Sequence, residues 1–457
     1  MRDARGTRSA AAEAVSDGVA LLLPLTLLGI ALVVVLYVLA RRSAPGPFPG
    51  GRARYRAEVR RTEPHRWAGR PTAPPAEARA QAADASPEAL DARARGLLIR
   101  LDDAVLRRTE ELGFAGDSPE AAEAAEGQRA TAAARAEADA ALRLRHRLDD
   151  PALERNETER RRLLHEIIDR CSGALARLAE RGTSAATPEA LARARERAAA
   201  LPARLEEASA TLRRVGGRYA PVALAPVRGH PVAGRERLAE AGHGLDRAER
   251  ALAGGQGGRE AAADALRGAE AAIGQAERLT EGLTRWTAEL TRADKALDEA
   301  VLATEADVAE APGLPALRTP VARAQRALEA VRRADERGRR DPFGGLRRLT
   351  KAGAPLAGAL APDRHRETRN RRARTLLEEA LLTAGGELSA TRDYVATHRG
   401  EVGSPARTRL AEAGHQLRRA LGTGPHDADA ALPFAWRADA LARRARALAT
   451  RDAGAAP

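Results

Sequence analysis

Cysteine is nearly absent from this 457-residue chain. Cys171 stands alone, so no disulfide can form within it, which fits a reducing compartment. Aromatic residues are scarce too: four Phe, four Tyr and three Trp make 2% of the sequence. Without large rings a deep enzyme core or a ligand pocket is hard to build, whereas small side chains between helices pack easily. Lysine is confined to Lys295 and Lys351, so the formal net charge of +13 rests almost wholly on Arg. Such a bias looks like GC-rich coding, and Arg abundance alone therefore names no partner. Catalytic and metal motifs are also missing. There is no HExxH and no paired Cys/His spacing, and GGQGG at 254–258 is followed by Arg-Glu instead of the Lys-Ser or Lys-Thr that a phosphate loop needs. It reads as the turn of a helical hairpin.

One long apolar run is present, and only one. Gly18 to Ala40 is uncharged over 23 residues, which as a helix reaches roughly 34 Å and covers a hydrocarbon core of about 30 Å. A secretory signal peptide is the competing reading, with Arg2, Arg5 and Arg8 as its charged region, but the apolar core of a signal peptide is about 7 to 15 residues. The run reads as a membrane anchor. Charge orients it: residues 41–70 carry nine Arg against Glu58 and Glu63, while the first seventeen residues cancel to zero. An Arg excess marks the cytoplasmic flank, so the N-terminus is expected outside and the large C-terminal part in the cytoplasm. Arg41, Arg42, Arg52, Arg54, Arg56, Arg60 and Arg61 are the expected contacts to anionic lipid head groups.

Beyond the run, Ala, Arg, Glu and Leu dominate, a composition that favours long amphipathic helices. Residues 1–17 form a short extracytoplasmic stub and 41–85 a basic, Pro/Gly-rich linker. A first helical array is expected over 86–215, opened by the start signal SPEAL at Ser86. Leu90, Ala94, Leu97, Leu101 and Ala104 follow 4-3-4-3 spacing, as do Leu164, Ile168, Cys171, Leu175 and Leu178. Cys171 thus falls on a buried seam and reads as an inert packing residue. A Pro/Gly-rich break at 216–236 separates this array from repeated helical hairpins over 237–450, and 451–457 reads as a disordered tail. RLAEAGHGLDRA at 237–248 and RLAEAGHQLRRA at 409–420 agree at ten of twelve positions, with a weaker copy, PVARAQRALEAV, at 320–331. These copies suggest a three-helix repeating unit. The fold class is all-α: one transmembrane helix, then an elongated array of antiparallel, coiled-coil-like helices.

His243 and His415 recur in the repeated EAGH and invite a metal reading. Both fall off the buried stripe that Leu238, Ala241, Leu245, Ala248 and Leu252 define in the first copy, so both read as surface histidines. Carboxylates recur opposite Arg, as in LEEASATLRR and RLDDAVLRR, and read as solvated faces with i,i+4 pairing. A second basic cluster, Arg364, Arg366, Arg369, Arg371, Arg372 and Arg374, would suit nucleic acid only with aromatic stacking residues beside it, which are lacking. It reads as a solvated helix face. No catalytic, cofactor-binding or metal residue is assigned, and no nucleic-acid partner.

Several stretches together resemble one family: LDARARGLLIRLDDAVLRRTEELGFA, LRLRHRLDD with ERRRLLHEIIDRC, RYAPVALAPV with RERLAEA, and THRGEVGSPARTRLAEA with RADALA. They look like the actinobacterial TPM-domain proteins, from about the apolar run to the C-terminus. The resemblance implies a signal peptide, an extracytoplasmic TPM domain, a transmembrane helix and a long cytoplasmic helical region, the topology that the charges give independently. Seventeen residues leave no room for the TPM domain, so none of its phosphatase-associated residues can be carried over. The expected function is a single-pass, membrane-anchored cytoplasmic scaffold or interaction protein with unidentified protein partners. The alternative is a truncated form of a TPM-domain, phosphatase-like envelope protein, shortened in its gene model or by natural loss.

Overall fold

Ser86 opens the first helix as its spacing predicts: its hydroxyl accepts from the Ala89 amide at 3.2 Å and its carbonyl from the Leu90 amide at 3.0 Å. The computed structural model describes residues 86–454 apart from 116–120, 151–152, 154–155, 180–185, 255–257, 312, 314 and 339, all within one unit that spans Pro74–Pro457. The expected transmembrane helix 18–40, the stub before it and the linker 41–85, with the seven Arg expected to contact lipid, lie outside the described residues, as do 455–457 of the tail. Among the described residues no helix is long and apolar enough to cross a membrane.

The fold is all-α among the described residues, with twelve α-helices and one 3-10 turn. Helices α1 (Pro87–Ala115), α2 (Ala121–Leu148) and α3 (Glu157–Ala179) pack together around Leu90, Ala94, Leu101, Leu163, Leu164, Ile167 and Cys171. The 4-3 seams are the buried faces. Cys171 is fully enclosed, and burial pushes its thiol up to about 12, so it is not poised as a nucleophile.

Helix α4 (Pro188–Gly216) is capped by Thr187, whose Oγ1 accepts from the Ala190 amide at 3.1 Å, with Pro188 at the first helical position. The short α5 (Pro221–Leu224) follows, then α6 (His230–Ala253) and α7 (Arg259–Glu310). The 52 residues of α7 extend about 78 Å at 1.5 Å each. That length lets one helix serve two packed groups. Its first half joins α4 and α6 around Leu201, Ala241, Leu245, Ala269 and Ile273. Its second half joins α8 (Arg318–Glu336) and α9 (Pro342–Leu360) around Leu290, Leu297, Leu328, Val331 and Leu346. Helices α10 (Arg366–Thr397), α11 (Ser404–Thr423) and α12 (Ala428–Gly454) make a further group.

The three sequence copies lie in α6, α8 and α11, and each is the middle helix of a three-helix group. The Pro/Gly-rich stretch 216–236 does not part the packed helices, since α4 before it shares a core with α6 and α7 after it. Trp286 of α7 fixes this corner: its indole donates to the Ala223 carbonyl at 3.0 Å, and its ring lies 4.8 Å from that of Phe343. Small residues supply the close approach that large ones cannot. A Cβ on Gly244 of α6 would meet the Ala269 Cβ of α7 at 2.9 Å.

The expectation that carboxylates and Arg pair mainly along solvated helix faces needs correction. Several pair between helices, in the interior. Asp102 and Asp103 of α1 meet Arg407 of α11, and Glu110 meets Arg278 of α7 at 2.8 Å and Arg399 at 3.0 Å. Asp307 of α7 holds Arg364 at 2.6 Å and Arg372 at 2.9 Å. Pairs of this kind join residues 40 to 305 positions apart, a separation that local spacing cannot reveal. Some local pairs do exist, such as Arg161 with Glu157.

Candidate functional site

The turn between α8 and α9 is built to hold its two helices in a fixed register. Gly338 takes a left-handed φ of 61°, open only to residues without a β-carbon penalty. Arg340 pairs with Asp294, Asp298 and Asp335, tying the turn to α7 and to the end of α8. Asp341 then caps α9 by accepting from the Gly344 amide at 3.0 Å, with Pro342 behind it. Ala324, Ala327, Leu328 and Val331 turn the apolar stripe of α8 inward, and Phe343, Leu346, Leu349 and Leu356 do the same for α9.

Burying those stripes leaves their basic flanks facing one another. They enclose an open groove of about 870 Å³ lined by Arg323 and Arg326 of α8, Arg347, Arg348 and Lys351 of α9, and Arg443 of α12. Ala327, Ala330, Gly344 and Ala352 complete the lining, and none of the lining residues is a carboxylate. Two of the lining cations are paired: Arg347 reaches Asp439 at 2.8 Å and Glu387 at 2.9 Å, and Arg443 reaches Asp439 at 3.1 Å. The outer cations differ. Among the described residues Arg323, Arg348 and Lys351 make no ion pair, and Arg326 donates only to the Ala322 carbonyl at 3.1 Å. All four are exposed. A concave surface of this kind concentrates anions.

The sequence pointed elsewhere for basic sites. Arg41, Arg42, Arg52, Arg54, Arg56, Arg60 and Arg61 lie outside the described residues. The cluster at 364–374 is split: Arg366, Arg369, Arg371 and Arg374 are exposed as expected, but Arg364 and Arg372 turn in to the buried Asp307. His243 is exposed, as its helical phase requires. His415 is half-buried instead, because Glu412, Gly414 and Gln416 beside it are enclosed, and burial lowers its pKa. Among the described residues no group of three His, Cys, Asp or Glu could hold a metal ion. A signal for the groove did exist. Helix α9, PFGGLRRLTKAGAPLAGAL, carries three cations and no carboxylate, and RAQR in α8 places two more one turn apart.

Together these features define a helical-bundle protein with a polybasic groove. The chain is similar to two curated proteins of Mycobacterium tuberculosis, UPF0603 protein Rv2345 of strain H37Rv and UPF0603 protein MT2410 of strain CDC 1551. Each is 32% identical to it over 243 residues, which is 50% of this chain and 36% of the relative. The chain thus spans about a third of the length of the curated relatives it matches. No family model matches, and no solved structure matches.

Proposed function

We propose that this chain is a single-pass, membrane-anchored scaffold whose helical body lies in the cytoplasm and offers the α8–α9 groove to an anionic partner. The groove carries this reading: four exposed cations without carboxylate partners sit on a body where interior cations such as Arg364 and Arg407 are paired across helices. Buried inter-helix pairs over-determine the arrangement of the helices, which suits a fixed docking surface. Anchoring rests on the apolar run 18–40 and on the Arg excess behind it. The likeness to actinobacterial TPM-domain proteins supports the same topology.

Alkaline phosphatase fused after Ala453 should be inactive, while a fluorescent protein fused there should glow. An active phosphatase fusion sinks the cytoplasmic placement. Contact of the seven juxtamembrane Arg with anionic lipid is testable separately. Vesicles containing phosphatidylserine should recruit residues 41–457 far better than 86–457, and salt should weaken recruitment. Equal recruitment removes the lipid role assigned to Arg41, Arg42, Arg52, Arg54, Arg56, Arg60 and Arg61.

A further inference from the structure

Resting on the scaffold reading, we infer that the α8–α9 groove docks an acidic protein segment that presents its carboxylates along one face of a helix. The spacing of the outer cations sets the partner's geometry. Arg323 and Arg326 are three residues apart on α8, as are Arg348 and Lys351 on α9, so each pair rises about 4.5 Å along its helix. Packed helices lie roughly 8–10 Å apart, which makes the four a small two-by-two array. Carboxylates at i, i+3 or i+4 of an incoming helix repeat at about 4.5–6 Å and meet such an array in register.

The floor fits the same occupant. Ala327, Ala330 and Ala352 present no bulky side chain, so another helix can come close while the long Arg and Lys stems flank it. Glu387 and Asp439 hold Arg347 and Arg443 in place, leaving the unpaired charge on the exposed Arg323, Arg326, Arg348 and Lys351.

Two other polyanions fit less well. Single-stranded nucleic acid binds along basic tracks with aromatic platforms, and no aromatic residue lines this groove. A bilayer surface is planar, and it would meet the rim of a concave site before its floor.

The test uses the full chain in nanodiscs of neutral lipid. The probe is a fluorescein-labelled Ala-rich helical peptide with Glu at i, i+4 and i+7, followed by anisotropy. Its Gln counterpart, a poly-dT oligonucleotide and phosphatidylserine vesicles are compared with it as competitors. The triple variant Arg323→Glu, Arg348→Glu, Lys351→Glu should bind the peptide about tenfold or more weakly. The control Arg366→Glu, Arg369→Glu, Arg371→Glu, on exposed α10 positions, should change affinity less than about twofold. Circular dichroism checks that each variant stays helical. If the first triple unfolds, Arg323→Gln with Lys351→Gln replaces it, with at least a threefold loss expected.

Equal losses in groove and control variants overturn the proposal. So does equal binding of the Gln peptide, or displacement of the Glu peptide more readily by oligonucleotide or vesicles than by unlabelled Glu peptide. Because the peptide is added in solution, the assay does not depend on which side of the membrane the body occupies. Groove-dependent binding together with an active phosphatase fusion therefore keeps the docking site and sinks the cytoplasmic placement alone.

Discussion

Replacing Arg407 by Met probes the interior pairing most directly. The Arg407 side chain is 1% exposed on α11, and each nitrogen of its guanidinium is engaged, one by the distant Asp102 and two by nearby carbonyls. Nη1 meets Asp102 and stands 2.8 Å from Asp103 Oδ1, although that oxygen is not aligned as a hydrogen-bond acceptor. Nε donates to the Val402 carbonyl at 3.1 Å and Nη2 to the Arg399 carbonyl at 2.5 Å. Methionine fills much of the volume but leaves Asp102 and two carbonyls without their donor and Asp103 without its counter-charge. Removing one partner of a buried pair costs about 3–5 kcal/mol. Asp102 and Asp103 keep 26% and 20% exposure, so water recovers part of the loss and the lower figure, about 3 kcal/mol, is expected. With roughly 350 ordered residues at about 2.1 cal/mol/K each, the unfolding entropy is near 0.7 kcal/mol/K and the melting temperature should fall by about 4 °C, given one cooperative transition. Thermal melts followed by circular dichroism at neutral pH measure this. A cycle with Asp102→Asn and Asp103→Asn should show coupling, the combined variant losing less than the sum of its parts. A shift under about 1 °C, or strictly additive losses, would refute the claim that this contact holds α11 to α1.

Glu379 is 5% exposed, and burial, opposed by Arg372 and reinforced by Glu299, Glu378 and Asp307, pushes its carboxyl up to about 7 from 4.5. Its contribution to stability is full below pH 4.5 and is lost as pH rises through about 7, because the unfolded chain ionises first. Glu379→Gln should therefore gain on the wild type between pH 5 and 8, by up to about 3 kcal/mol in urea melts, and a pH-independent difference contradicts this. Thr187→Ala removes the α4 cap and should cost about 1 kcal/mol, whereas Thr187→Ser should cost far less. Gly244→Val forces a branched side chain against Ala269 and should destabilise by about 1–3 kcal/mol, read as a lower urea midpoint; an unchanged midpoint would show that α6 and α7 can separate freely. Cys171 should resist a thiol reagent in the native protein and react on unfolding, and rapid native labelling would contradict its enclosure.

Local signals were readable because they are local. The Ser86 cap and the 4-3 seams through Leu90–Leu101 and Leu164–Cys171 each lie within a few residues, where helical geometry alone decides which groups meet. The copies in α6, α8 and α11 each mark the middle helix, in chain order, of a group of three, although α7 is shared between two of the groups. His415 was misjudged because its helical phase was read against a single partner face, whereas α11 packs against α1, α2, α10 and α12.

Composition by itself determined that the body is helical and that its contacts are made by Ala and Leu, since few large rings are present to build anything else. Tertiary structure alone decided which charges are spent. Asp102 looks like part of a solvated pair in its own helix, yet its partner is Arg407, 305 residues away. Arg364 and Arg366 look alike in sequence, and only the approach of Asp307 on α7 buries the first and leaves the second in water. The groove depends on the same fact. Arg323 and Lys351 lie on separate helices, and their charges add only because the Gly338 turn and the Arg340 clamp fold α8 against α9, while Glu387 and Asp439 are held by Arg347 and Arg443.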